Sequence, residues 1–191
     1  MRLVIAILLS LLIFSNCSAR EIVLPPGTSV EGKNASDLSA EWWQWAMSAP
    51  DGTNPVEDTK GINCGVGQRG KVWFLAGGFG PSKIRRTCTI PANRHLFFPV
   101  INMAYWPRQD NDKYTCQEAK QGAALNNDTA LDLFAEIDGV SVKDIKRFRV
   151  ATEKCFDIYA RVPPSQGAFK AYPSASDGYW LLLSPLPKGK H

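Results

Sequence analysis

Histidine is nearly missing from this chain: His95 and the terminal His191 are the only two in 191 residues. A histidine-rich zinc centre, or a Cys–His nucleophile pair, has almost nothing to be built from. His95 precedes Leu96-Phe97-Phe98 at the start of a strand pattern and reads as a structural or surface residue. No GxSxG stretch puts a serine on a nucleophile elbow. Long apolar runs are missing too. The N-terminal run over residues 3–14 reaches only about 18 Å at about 1.5 Å per residue, short of a hydrocarbon core about 30 Å thick. Nor does one sign of charge dominate, with 22 Lys+Arg against 18 Asp+Glu and a formal net charge of +4. That balance gives no electrostatic case for nucleic acid or an acidic surface as partner. The basic clusters Arg85-Arg86 and Lys146-Arg147-Phe148-Arg149 read as solvated strand faces.

What is present points to export. A single Arg2, the apolar run and the small residues Cys17-Ser18-Ala19 have the layout of a secretory signal over 1–19, cleaved after Ala19. A lipid anchor on Cys17 is disfavoured, because Phe14-Ser15-Asn16 lacks the usual aliphatic and small residues before it. Cleavage removes Arg2 alone, which leaves 21 cations against 18 carboxylates and a net of +3. The four cysteines left, Cys64, Cys88, Cys116 and Cys155, form an even set that an oxidising compartment pairs into two disulfides. Three pairings are open. Pairing 64 with 88 and 116 with 155 is preferred, because each closes a hairpin-like or loop-rich stretch, and closing about 25 residues is worth about 3.5 kcal/mol in the chain-entropy model. The expected location is secreted or periplasmic.

Residues 20–36, with Pro25-Pro26-Gly27, read as an extended linker, and 37–191 as one domain. Its first element is a helix. Ser36 or Asp37 caps it, Pro50 ends it, and Leu38, Trp42, Trp45 and Ala49 share one face. Trp42 and Trp45 are therefore expected in the core. Trp43 points about 100° away, toward the core of a second face or to a rim. From residue 71 the period changes to 2: KVWFLA (71–76), IRRTCTI (84–90) and HLFFPVI (95–101) read as strands, with Pro99 marking an edge or a bulge. A long polar insert over 102–129, with a short helix near 116–125, precedes a hairpin centred on Asp138-Gly139. Residues 148–152, 155–162 and 179–183 complete the strands. The expected fold is mainly β, an antiparallel, jelly-roll-like β-sandwich with one early amphipathic helix.

The stretches EWWQWAMSAP, NCGVGQRGKVWFLAGGFG, RTCTIPANRHLFFPVIN and GYWLLLSPLPKGKH together resemble a group of exported bacterial proteins to which no activity is attached. The similarity covers most of the chain after the leader. It implies a secreted or periplasmic β-rich domain and supplies no catalytic residue. In that group the segment PLPKGKH runs on into a further strand, so the resemblance implies a truncated last strand and an exposed sheet edge here.

Function is expected at the insert AYWPRQDNDKYTC, residues 104–116. Tyr105, Trp106 and Tyr114 are flat aromatics among Arg108, Gln109, Asp110 and Asn111, whose polar ends bond hydroxyls, and such a set suits stacking on a sugar ring. Trp43 is added to them as a rim aromatic. The plainer reading is that these rings cover one open end of the sandwich. Oxygen clusters at Asp51/Asn54/Glu57/Asp58 and Asp110/Asn111/Asp112 are the places where calcium would bind; no other cofactor is expected. Among carboxylates, Glu41 and Asp157 are the least arbitrary acid/base candidates. The leading expectation is a non-enzymatic binding module for a polysaccharide or envelope component. The alternatives are a carboxylate-dependent glycan hydrolase or lyase and a structural envelope protein.

Overall fold

The computed structural model describes residues 22–78, 83–109, 111 and 113–191, so the leader over 1–19 lies outside the described residues. In chain order the elements are α1 (Ala35–Ala46), β1 (Val72–Phe74), β2 (His95–Tyr105), α2 (Cys116–Asp128), β3 (Glu136–Ile137), β4 (Val140–Ser141), β5 (Arg149–Ala151) and β6 (Ala175–Leu183). One four-stranded sheet runs in the order β1-β2-β6-β5, and β3 with β4 makes a separate hairpin. β6 pairs antiparallel with both β2 and β5, whereas β1 pairs parallel with β2 through Val72–His95, Trp73–Leu96 and Phe74–Phe97.

The expected antiparallel, jelly-roll-like sandwich is therefore corrected to an α+β arrangement: one small mixed sheet covered by helices. All nine residues of β6 are buried, as a central strand covered on both faces requires. Trp180 and Leu182 point to the α1 side and join Leu38, Trp42, Trp45, Phe74 and Phe97 in the main core. Asp177 and Tyr179 point to the other side, where α2 packs: Asn127 donates to the Asp177 carbonyl at 3.0 Å, and the Tyr179 hydroxyl donates to the Asn127 carbonyl at 3.3 Å.

Two expected strands fail for identifiable reasons. Residues 84–90 join no sheet. Arg86 there donates to the carbonyls of Val56, Ala76, Gly77 and Asp58, so a guanidinium instead of a backbone ladder ties the segment down. Residues 155–162 alternate in polarity yet form turns, because Asp157 Oδ1 accepts from the amides of Tyr159 at 3.0 Å and Ala171 at 3.1 Å. A short carboxylate that captures nearby amides competes with strand pairing. Of that run only Phe156 bridges, to Ser174.

Other features follow the local signals closely. The α1 cap lies two to three residues earlier than expected, at Asn34, in a reciprocal capping box with Asp37. Pro99 marks a bulge, since the β2–β6 register shifts between Pro99 and Ile101. Asp138 and Gly139, at φ +51° and +80°, make the expected tight turn between β3 and β4. Cys64 is bonded to Cys88 and Cys116 to Cys155. Residues 22–24 run along the end of β6, with Leu24 N–H donating to the Leu182 carbonyl at 2.8 Å and Ser184 N–H to the Ile22 carbonyl at 2.9 Å. No helix among the described residues is long and apolar enough to cross a membrane.

Candidate functional site

A cleft of about 240 Å³ opens between α1 and the loop that leads into β1. Its floor is apolar, made by Val30, Leu38, Val72 and Phe74. Helical spacing builds one wall: Leu38, Glu41 and Gln44 recur every three residues, so once Leu38 is buried the other two stand over it. Gln44 is held in place by donating to the Asp157 carbonyl at 3.0 Å.

The opposite wall is the loop over 64–71, which several independent ties hold still. Cys64 is anchored to Cys88. Trp45 donates its indole N–H to the Val66 carbonyl at 2.7 Å. Gln68 clamps the loop onto β1, with Nε2 donating to the Phe74 carbonyl at 2.7 Å and Oε1 accepting from the Phe74 amide at 2.9 Å. Gly67, at φ +68°, lies where any Cβ would come within 3.1 Å of the Trp45 ring, so glycine is needed both for the turn and for the contact. Arg69 is carried on this loop. Arg161 reaches in from the segment after Asp157 and donates to the Gly67 carbonyl at 2.8 Å.

Charge in the cleft is unevenly matched. Lys33 pairs with Glu41 at 2.5 Å, and Lys71 lies 3.9 Å from Glu31, which also accepts from the Lys71 amide at 3.2 Å. The two arginines have no carboxylate partner in salt-bridge contact among the described residues. Burial pulls the Arg161 guanidinium below the ordinary arginine pKa, the Arg69 charge pulls the same way, and Glu41 opposes them. The cleft thus holds four cations against two carboxylates, and the excess is the arginine pair.

No family model, curated protein or solved structure matches this chain. The site's chemistry must therefore be read from its own residues.

The four aromatics singled out in the sequence divide between two faces of the sheet. Tyr105 is the last residue of β2 and Trp106 follows it, on the opposite side. Tyr105, 39% exposed, lies over Gly122 of α2, where an added Cβ would fall 2.6 Å from its ring. Tyr114 is half-buried beside it; burial first, then the Glu118 and Tyr105 charges, push its hydroxyl above the ordinary tyrosine pKa. Trp106 packs on the other side, edge-on to Tyr159 at 6.3 Å. Trp43 belongs with Trp106, since both rest on the cluster of Ala104, Ile158 and Ala171. Trp43 also donates to Ser176 Oγ at 3.0 Å and meets Trp42 edge-on at 5.3 Å. The structure brings Tyr105 to Tyr114 and Trp43 to Trp106, and it does not assemble the four into one platform.

Of the two oxygen clusters considered for calcium, Asp110 and Asp112 lie outside the described residues. In the other, Asp58 spends both oxygens on backbone amides, those of Lys60 and Gly61 on Oδ1 and of Asn63 on Oδ2. Asn54 likewise bonds the Val56 amide and the Ala46 carbonyl. Among the described residues no group of three or more His, Cys, Asp or Glu is placed to hold a metal ion. His95 Nδ1 lies 3.1 Å from the Leu183 carbonyl. Asp157 organises its own loop, whereas Glu41 does line the cleft. Sequence reasoning missed the rest of that cleft. The available signal was the glycine-spaced CGVGQRGK, which holds Arg69 and Lys71 near a cysteine, but Arg161 is 92 positions from Arg69 and no local pattern joins them.

Proposed function

We propose that this protein is an exported, non-enzymatic binding module for a polysaccharide of the cell envelope, and that the ligand sits in the α1 cleft. The observation that carries this reading is the composition of the cleft. Glu31, Glu41, Gln44 and the lysines, which accept from or donate to hydroxyls, ring a floor of Val30, Leu38, Val72 and Phe74. A sugar has the same two-sided chemistry: hydroxyls at its rim and apolar C–H groups on its faces. The two disulfides and the leader-like N-terminus support the location.

A thermal-shift screen of residues 20–191, oxidised, against a panel of envelope and capsular polysaccharides tests the reading. A ligand at 100 times its dissociation constant adds about 2.7 kcal/mol of stability. That shift is expected for at least one polysaccharide and is expected to fall in Gln44→Ala. Unchanged melting across the panel overturns it.

One observation favours a second reading, a glycan hydrolase or lyase: two carboxylates, Glu31 and Glu41, line the same cleft. Release of reducing or unsaturated ends from a polysaccharide that binds, lost in Glu41→Gln, would replace the binding module by the enzyme.

A further inference from the structure

The arginine pair narrows the class of ligand. Each cleft carboxylate has a lysine beside it, which accounts for Lys33 and Lys71. Arg69 has no hydrogen bond or ion pair among the described residues, and Arg161 is bonded only to a backbone carbonyl, that of Gly67. Two guanidiniums facing one small cavity repel each other, and a free protein has no use for that repulsion. Nothing in the fold requires it either, because Cys64–Cys88, Trp45 and Gln68 position the loop without Arg69. Guanidinium groups present forked N–H donors that match an oxyanion two bonds at a time.

We propose that the cleft recognises an acidic sugar residue, its oxyanion held between Arg69 and Arg161 and its hydroxyls bonded by Glu41 and Gln44. This inference rests on the polysaccharide reading above and specifies its ligand. The small volume fits one sugar unit of a chain that continues through the open side. Glu41 and Gln44 add selectivity, because they offer acceptors that the hydroxyls of a sugar fill and a bare anion cannot.

The test is calorimetric titration of the oxidised domain with a uronate oligosaccharide, a sulfated oligosaccharide, a neutral glucan oligosaccharide and inorganic phosphate, each at low and at high salt. One or both acidic oligosaccharides are expected to bind, with affinity that weakens as salt rises. Arg69→Ala, which removes no described bond and so leaves the fold intact, is expected to weaken that binding about tenfold or more. Arg161→Gln, which keeps a donor for the Gly67 carbonyl, is expected to do the same. Neutral glucan binding as tightly, unaffected by either substitution, overturns the inference and leaves the polysaccharide reading standing. Phosphate binding as tightly as the acidic sugars overturns the sugar assignment. No binding by any oligosaccharide overturns both readings.

Discussion

Trp180 lies flat against Phe97, with ring centroids 5.1 Å apart and an interplanar angle of 5°. The two residues belong to adjacent strands, β6 and β2, and their stack forms a continuous aromatic surface on the α1 side of the sheet. Trp42 meets it edge-on, 5.6 Å from Trp180, and offset and edge-to-face pairs add about 0.5–1.5 kcal/mol each beyond the area they bury. Together with the hydrogen bonds of Trp43 to Ser176 and of Trp45 to Val66, this contact holds α1 on the sheet, and Glu41 and Gln44 of the same helix line the cleft.

Trp42→Ala tests the docking of α1. The indole is 3% exposed and donates to the Leu75 carbonyl at 2.9 Å. Truncating a buried large aromatic costs about 3–5 kcal/mol, so urea denaturation should show a loss in that range. A loss below about 1 kcal/mol would mean that α1 does not pack on this surface.

Replacing Cys116 and Cys155 together with serine should cost about 4 kcal/mol, from the entropy of a loop with 39 residues of separation. The bond ties the first turn of α2 to the segment before Asp157. Peptide mapping without reduction should recover 64 linked to 88 and 116 linked to 155; any other linkage contradicts the fold.

Arg149 holds Asp177 with two parallel bonds, Nε to Oδ1 at 3.0 Å and Nη2 to Oδ2 at 3.1 Å, and reaches Asp128 at 2.6 Å. These carboxylates push its pKa above the ordinary arginine value, with the Asp177 bonds as the main cause. Because the Asp177 side chain is only 7% exposed, Arg149→Met leaves a buried charge uncompensated and should cost about 3 kcal/mol. Adding Asp177→Asn to that variant should restore part of the loss in a double-mutant cycle. Strict additivity of the two changes would show that the pair is not coupled.

Asp58 makes the protein acid-sensitive in a defined window. Its bond from the Asn63 amide, joined by those from Lys60 and Gly61 and by the Arg86 charge, outweighs desolvation and holds the carboxyl below 3.8. A depressed folded pKa contributes stability that is complete above the unfolded value and is lost as pH falls through the folded value. Asp58→Asn should therefore melt below wild type at pH 6, and the gap should close as the pH is taken below about 4. A gap that persists unchanged to pH 2 would show that the carboxylate charge is not what stabilises the loop.

Much of this was legible locally. Leu38, Trp42 and Trp45 are buried on one face as read, although α1 ends at Ala46 and leaves Ala49 and Pro50 beyond it; of the edge or bulge offered for Pro99 the bulge is found; and the Asp138-Gly139 turn and the even cysteine set are found as read. Tertiary structure alone decided the architecture and the cleft. Alternating polarity at 84–90 and 155–162 could not reveal that Arg86 and Asp157 would capture backbone groups and take those segments out of the sheet. Nor could it reveal that β1 would pair parallel to β2. Glu31, Glu41, Arg69 and Arg161 meet because α1, the disulfide-tied loop and the turn after Asp157 pack on one end of the sheet. Periodicity determines which face of an element is buried, whereas which elements meet depends on contacts between residues far apart in the chain.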